Sequence, residues 1–127
     1  MKLKKKLSFK MNSKFYISYE AARLLKEKGY NAKCNFAYAD TSNGSDINGR
    51  IVFNSNDYPI GFYPCPTKAE AIDWLESKGM CIVVIRRIID NEVGWRYVIY
   101  NQTEIISGFS TRLEAEEAAI IKALELL

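Results

Sequence analysis

The chain ends with Gly108-Phe-Ser-Thr-Arg-Leu-Glu-Ala-Glu-Glu-Ala-Ala-Ile-Ile-Lys-Ala-Leu-Glu-Leu-Leu127, which carries its clearest structural signal. Thr111 is typical of a helix N-cap, and Glu114 completes a capping box with it. Gly108 just ahead allows a bend between a strand and the helix. Apolar residues then recur at helical spacing, which predicts a helix that packs through one face. That face comprises Leu113, Ile120, Ala123, Leu124 and Leu127.

An earlier part of the chain repeats this signal. Thr67-Lys-Ala-Glu-Ala71 aligns with Thr111-Arg-Leu-Glu-Ala115, and Leu24-Leu-Lys-Glu-Lys-Gly29 aligns with Trp74-Leu-Glu-Ser-Lys-Gly79. The differences in spacing between such matches fall in loops, as expected for a duplicated unit. The sequence therefore predicts an internal repeat.

The remaining patterns complete the fold prediction. Ser18 can cap a helix that reaches about Lys28. Alternating and apolar segments predict strands over 31–39, 50–54, 58–63, 80–89, 95–100 and 104–109, with 40–49 as a flexible hairpin connection and 90–94 as a turn. The expected class is α+β, with two fused α-β-β-β-α units that share the central helix and antiparallel sheets packed by three helices. The expected divisions are a flexible basic leader at 1–14, a first repeat at 15–66 and a second repeat at 67–127.

The charge is distributed unevenly along the 127 residues. The chain has 18 basic and 15 acidic residues, but six of the basic residues lie within positions 1–14. Residues 15–127 therefore hold 12 basic residues against all 15 acidic ones, a net charge of −3. The basic character belongs to the leader, whose lysines could contact phosphate. Whether translation starts at Met1 or Met11 stays open.

Composition also limits the chemistry. The sequence contains no histidine, which removes serine–histidine and cysteine–histidine nucleophile systems and histidine-ligated metals. The three cysteines, Cys34, Cys65 and Cys81, form no CxxC pair and favour a reducing cytoplasm. No apolar run approaches the roughly 18 residues of a membrane span. We expect no enzyme activity, no metal, no cofactor and no membrane partner.

The strongest functional candidate is the predicted hairpin at 80–100. Both of its faces carry apolar residues, and we expect the helices to cover one face and the sister repeat the other. The alternative is an exposed contact surface. Val83, Ile85 and Ile89 are expected on the face of Trp95 and Tyr97.

Arginines and aromatic residues are interleaved in this hairpin. This composition is typical of base-stacking platforms and equally of protein–protein hot spots, while arginines at the rim of a sheet are the simplest interpretation. The candidate binding surface comprises Arg86, Arg87, Trp95, Arg96, Tyr97 and Tyr100.

The order of elements from Thr67 to Leu127 resembles the double-stranded-RNA-binding domain. The most specific match is Glu114-Ala-x-x-Ala-Ala-x-x-x-Ala-Leu124, which keeps that family's alanine spacing in the last helix. The resemblance implies phosphate-binding lysines at the start of this helix, but Arg112, Leu113 and Glu116 occupy those positions. The alternative nucleic-acid contacts are accordingly Lys4, Lys5, Lys6, Lys10 and Arg112.

Residues 17–127 also resemble small proteins of bacteriophages and mobile elements, especially those of gut Bacteroidota. The shared motifs are Ser18-Tyr-Glu-Ala, Leu25-Lys-Glu-x-Gly29-Tyr and Asp73-Trp-Leu-Glu-x-Lys-Gly79. This resemblance implies no activity and suggests an accessory protein of phage–host interaction. We therefore expect a non-enzymatic protein that binds a protein partner, with a host defence component as one candidate. The alternative is a protein that binds double-stranded RNA or DNA, and a homodimer stays open.

Overall fold

The computed structural model describes residues 13–32, 34, 36–41, 44–50, 60–100 and 102–127. In this part of the chain, three α-helices and two three-stranded antiparallel sheets form an α+β fold. The predicted class, the antiparallel pairing and the three helices are confirmed. Contacts divide the chain into two compact units, the second of which begins at Thr67. Most of the predicted leader, residues 1–12, lies outside the described residues.

The described part of the first unit contains a short 3-10 helix at Ser13–Phe15, one α-helix and three strands. Helix α1 spans Tyr19–Glu27, and strands β1, β2 and β3 span Phe36–Thr41, Gly44–Arg50 and Phe62–Pro64. Strand β1 is central, with β2 and β3 antiparallel on its two sides. The Ser18 hydroxyl accepts a hydrogen bond from the Ala21 amide at 3.2 Å, which confirms the predicted cap. The buried core of this unit includes Ile17, Ala21, Ala22, Leu25, Tyr30, Cys34, Ala37 and Cys65.

The polar stretch 40–49 is not the flexible connection that the sequence predicts. Strand β2 begins at Gly44, and Thr41 pairs directly with Gly44 across the hairpin. A sheet ladder joins peptide groups, so a segment poor in β-forming side chains still forms a strand beside a well-placed partner. The predicted second strand, 50–54, is wrong at its start, and 51–54 lie outside the described residues.

The second unit has the element order α-β-β-β-α. Helix α2 spans Lys68–Ser77, strands β4, β5 and β6 span Ile82–Ile89, Glu92–Ile99 and Ile105–Phe109, and helix α3 spans Arg112–Leu126. Strand β5 is central in this sheet. Both helices begin with the predicted capping boxes: the hydroxyls of Thr67 and Thr111 accept from the amides of Glu70 and Glu114, each at 3.1 Å.

A two-residue turn sets the register of the β4–β5 hairpin. Asp90 and Asn91 have φ values of 52° and 66°, as in a type I′ turn, whose twist matches that of the flanking strands. Strand β5 consequently starts at Glu92, within the longer turn that the sequence predicts. This register pairs Val84 with Tyr97, so the expectation that Val83, Ile85 and Ile89 share the face of Tyr97 is wrong.

Helix α3 covers one face of the second sheet. It packs on β4, β5, β6 and α2, and it buries Tyr97 and Ile99. Its fully buried residues are mostly alanines, which allow close approach to the sheet: Ala115, Ala119, Ile120, Ala123 and Leu124. Leu127, expected on this face, is instead 37% exposed.

The two units agree at their helix ends but not in strand order. Leu25 and Leu75 are both fully buried, and Gly29 and Gly79 have φ values of 93° and 88°. The carbonyls of the two leucines accept equivalent hydrogen bonds, from the Tyr30 and the Met80 amides. The first strand is central in the first sheet, whereas the second strand is central in the other. The repeat therefore does not extend strand for strand through the described residues.

In the part of the chain that the structure describes, no helix combines the length and the apolar character that a bilayer span requires.

Candidate binding surface on the second sheet

The six residues of the predicted surface do not lie together. Successive side chains of a strand point to opposite faces, and directly paired residues share a face. Arg86 pairs with Trp95, and both lie on the same face as Tyr97, the face that helix α3 covers. Arg87 and Arg96 lie on the opposite face. The arginines and rings therefore do not form the stacked platform that interleaving in the sequence suggested.

The aromatic residues of the predicted surface have different environments. Tyr97 is only 6% exposed, and its ring centroid lies 5.9 Å from that of Phe109. Burial raises the pKa of Tyr97, and the nearby charges of Glu104 and Glu125 raise it further. Tyr97 is a core residue, whereas Tyr100, which follows β5, is 65% exposed.

We call the face turned away from helix α3 the open face. Val83, Ile89 and Ile105 expose 47%, 50% and 51% of their surface there. Exposed apolar side chains that adjoin one another are typical of contact surfaces. The open face comprises Val83, Ile85, Arg87, Ile89, Glu92, Gly94, Arg96, Val98, Ile105 and Ser107.

The end of the β4–β5 hairpin is exposed on its other face as well. Ile88 and Val93 are paired across the strands, and they expose 60% and 46% of their surface. All residues from Arg86 to Val93 are exposed. The hairpin tip therefore offers apolar side chains to solvent from both of its faces.

A concavity of about 380 Å³ lies on the open face near this tip. We call it the hairpin pocket. Gly94 leaves space because it has no side chain, and it is paired with Arg87. Gly108, with φ of 103°, is an extra residue in β6 between the pairs Trp95–Phe109 and Arg96–Ser107, which bends the strand as a β-bulge. The pocket is lined by Arg87, Ile89, Asp90, Glu92, Val93, Gly94, Trp95, Arg96, Ser107 and Gly108.

Arg96 is the polar centre of the open face. It lies on the middle strand, paired with Ile85 on one side and Ser107 on the other. Its Nε is buried and has no hydrogen-bond partner among the described residues. A buried donor without an acceptor costs on the order of 1–3 kcal/mol. Neither Arg96 nor Arg87 makes an ion pair in the described ranges, so both charges lack a carboxylate partner there.

Of the residues predicted to contact nucleic acid in the alternative function, the structure describes Arg112. Arg112 Nε lies 3.7 Å from Glu116 Oε2, one helical turn away, so its charge already faces a carboxylate. Lys4, Lys5, Lys6 and Lys10 lie outside the described residues.

Reasoning from the sequence missed the residues that shape the pocket, chiefly Gly94, Ser107 and Gly108. Glycine and serine carry neither a charge nor a large apolar side chain, so they were not among the predicted surface residues. A usable signal was present, since a glycine inside a strand often marks a bulge or a close approach.

Comparison with protein-family models, with curated proteins and with solved structures gives no match to this chain.

Proposed function

We propose that this is a non-enzymatic binding protein that recognises a protein partner through the open face and the hairpin tip. The observation that carries the proposal is the group of exposed apolar residues beside Arg87 and Arg96, neither of which makes an ion pair with another described residue. Protein interfaces combine apolar contacts with arginine in this way. A host defence component is one candidate for this partner, and only the resemblance to phage proteins supports it.

The absence of histidine in the sequence supports the non-enzymatic part of the proposal, because histidine is the commonest general acid and base. A cytoplasmic location is part of the same proposal. Cys34, Cys65 and Cys81 form no disulfide among the described residues, as a reducing compartment favours.

We further propose that the two units arose by duplication, with helix α2 serving both. The matching buried leucines and positive-φ glycines at the ends of α1 and α2 support duplication. The different strand order requires that the sheets were rearranged afterwards. An experimental structure of the whole chain tests this, and a helix α2 that packs on the second sheet alone would refute sharing.

Binding of duplex RNA or DNA is the rival function, with less support. Its charged residues are the lysines of the leader and Arg112, which is paired with Glu116. Residues 15–127 carry 12 basic against 15 acidic residues, which disfavours a phosphate backbone.

The test is affinity capture from a lysate of the cells that make the protein, with quantitative identification of the recovered proteins. Val83→Asp places a charge on the open face outside the hairpin pocket and should reduce recovery of the partner at least about tenfold, since burying an unpaired carboxylate costs several kcal/mol. Trp95 is unsuitable for this test because it lies on the face that helix α3 covers.

The matched control is Ile60→Asp in the first unit, where Ile60 is 99% exposed. It should retain the partner, and both variants should keep the wild-type urea midpoint. Equal recovery by Val83→Asp and wild type, or no specific partner at all, would contradict the proposal. A second copy of the chain as the recovered partner would identify the open face as a homodimer interface.

A further inference from the structure

The hairpin pocket combines a cavity with unsatisfied donors. Gly94 keeps its floor open, and Arg96 and Arg87 place two positive charges beside it. Ser107 adds a hydroxyl beside Arg96. The buried Nε of Arg96 has no acceptor among the described residues. An arginine in this state gains a hydrogen bond if its guanidinium turns toward an acceptor that enters the pocket.

We propose that the pocket binds a carboxylate side chain, glutamate or aspartate, from an extended segment of the protein partner. A carboxylate fits because its two oxygens accept the parallel donors of a guanidinium, Nε–H and Nη–H, in a bidentate pair. The residue next to this carboxylate is apolar and packs on Ile89, which lines the pocket and is half exposed. This inference rests on the proposed function and names the chemistry that the partner must present.

The same pocket is poorly suited to nucleic acid. Single-stranded nucleic acid binds to proteins by stacking its bases on aromatic side chains. Here Tyr97 is a core residue, and Trp95, although it borders the pocket, alternates with Arg96 along β5 and is paired with Arg86 on the opposite face. Asp90 and Glu92 also line the pocket, and their negative charges repel a chain of phosphates more than they repel one carboxylate beside two arginines.

The test is an NMR titration of the full ¹⁵N-labelled chain at physiological salt. The probe is the blocked peptide Gly-Glu-Leu-Glu-Gly, compared with its neutral isostere Gly-Gln-Leu-Gln-Gly. We expect the acidic peptide to shift the Arg96 Nε–H signal and the Gly94 and Ser107 amides saturably, and the neutral peptide to shift them much less. Arg96→Lys keeps the charge but loses the fork of donors, and it should weaken binding at least about tenfold.

The matched control is Arg86→Lys, because Arg86 lies on the neighbouring strand β4, on the opposite face of the sheet from Arg96. This variant should bind the peptide like wild type. Equal shifts from both peptides, no shift of the three signals, or unchanged affinity in Arg96→Lys would each overturn the proposal. Tighter binding of a short single-stranded oligoribonucleotide at the same signals would overturn it in favour of nucleic acid.

The two proposals fail in different ways. If Val83→Asp loses its partner while the acidic peptide leaves Arg96 unmoved, the open face binds a protein but the carboxylate site is wrong. If the acidic peptide binds while Val83→Asp retains its partner, the carboxylate site stands and the proposed partner surface is wrong.

Discussion

Arg87 is paired with Gly94 across the β4–β5 hairpin, and this pairing creates the hairpin pocket. A side chain at position 94 would occupy the space beside the arginine. The nearest atom to a Cβ built on Gly94 is the Phe109 carbonyl oxygen, at 3.9 Å, which is an ordinary contact. The pocket is therefore open by virtue of one missing side chain, without backbone strain at that residue.

Gly94→Val should separate folding from binding. Valine suits a strand, so the urea midpoint should stay at or above that of wild type. Its side chain would occupy the part of the pocket beside Arg87, so affinity for the acidic peptide should fall at least about tenfold. Peptide affinity by NMR and unfolding in urea, measured on the same sample, check both parts. A variant that binds the peptide normally would show that the pocket is not the site.

Gly79→Ala should have the opposite effect on stability from Gly94→Ala. Gly79 ends helix α2 with φ of 88°, a conformation that costs an L-residue about 1–2 kcal/mol. Gly94 has no such φ, and replacing a strand glycine with alanine gains roughly 0.5–1 kcal/mol. Unfolding in urea should therefore show a lower free energy for the first variant and a higher one for the second. The same sign for both would contradict the backbone geometry described here.

Thr111→Ala should weaken the start of helix α3. The Thr111 hydroxyl accepts from the Glu114 amide at 3.1 Å, and the Glu114 carboxylate accepts from the Thr111 amide at 3.0 Å. Loss of a threonine cap typically lowers the free energy of unfolding by about 1 kcal/mol. The matched control is Thr103→Ala, an exposed threonine outside the helices and strands. If both substitutions have the same effect, the capping box contributes nothing measurable.

Tyr97 should make the fold sensitive to alkaline pH. Its pKa is raised in the folded state above the ordinary 10.0, so folding favours the protonated phenol. The stabilising contribution is complete below pH 10.0 and is lost as the pH rises through the folded-state value. Urea unfolding from neutral pH to about pH 11 should show a smaller alkaline loss of stability in Tyr97→Phe than in wild type. Tyr100→Phe, which removes a phenol on a residue that is 65% exposed, is the matched control.

The sequence predicts the helices well because their signals are local. Ser18, Thr67 and Thr111 mark the starts, and Gly29 and Gly79 follow the ends, through bonds between residues at most a few positions apart. Strand positions depend instead on distant partners. The segment at 44–50 has little strand propensity, and only its pairing with β1 makes it a strand.

The candidate surface also depends on distant partners, because strand pairing decides which face each residue occupies. Which face Arg96 shares with its neighbours depends on register, and register depends on the type I′ turn at Asp90 and Asn91. If the turn is taken as the five residues 90–94, every residue of β4 is assigned a different partner on β5. The sequence places the aromatic residues and arginines in one hairpin, but their division between its two faces required the structure.

Binding of double-stranded RNA should depend on the leader rather than on helix α3. A chain starting at Met11 lacks Lys2, Lys4, Lys5, Lys6 and Lys10 but keeps every described residue. Each phosphate contact steepens the dependence of binding on salt, by about 0.9 in logarithmic slope on B-DNA.

We expect the shortened chain to show no salt-sensitive duplex binding, because Glu116 pairs with Arg112 and Leu113 offers no charge. Fluorescence anisotropy with labelled duplex RNA across a range of salt concentrations measures this directly, with the full chain as the reference. Arg112→Glu in the shortened chain is the decisive variant. If the shortened chain binds tightly at physiological salt and Arg112→Glu abolishes that binding, helix α3 contacts phosphate and nucleic-acid binding replaces the proposed function. If the full chain binds and the shortened chain does not, the contact is electrostatic and belongs to the leader, and the open face remains the candidate surface for a protein partner.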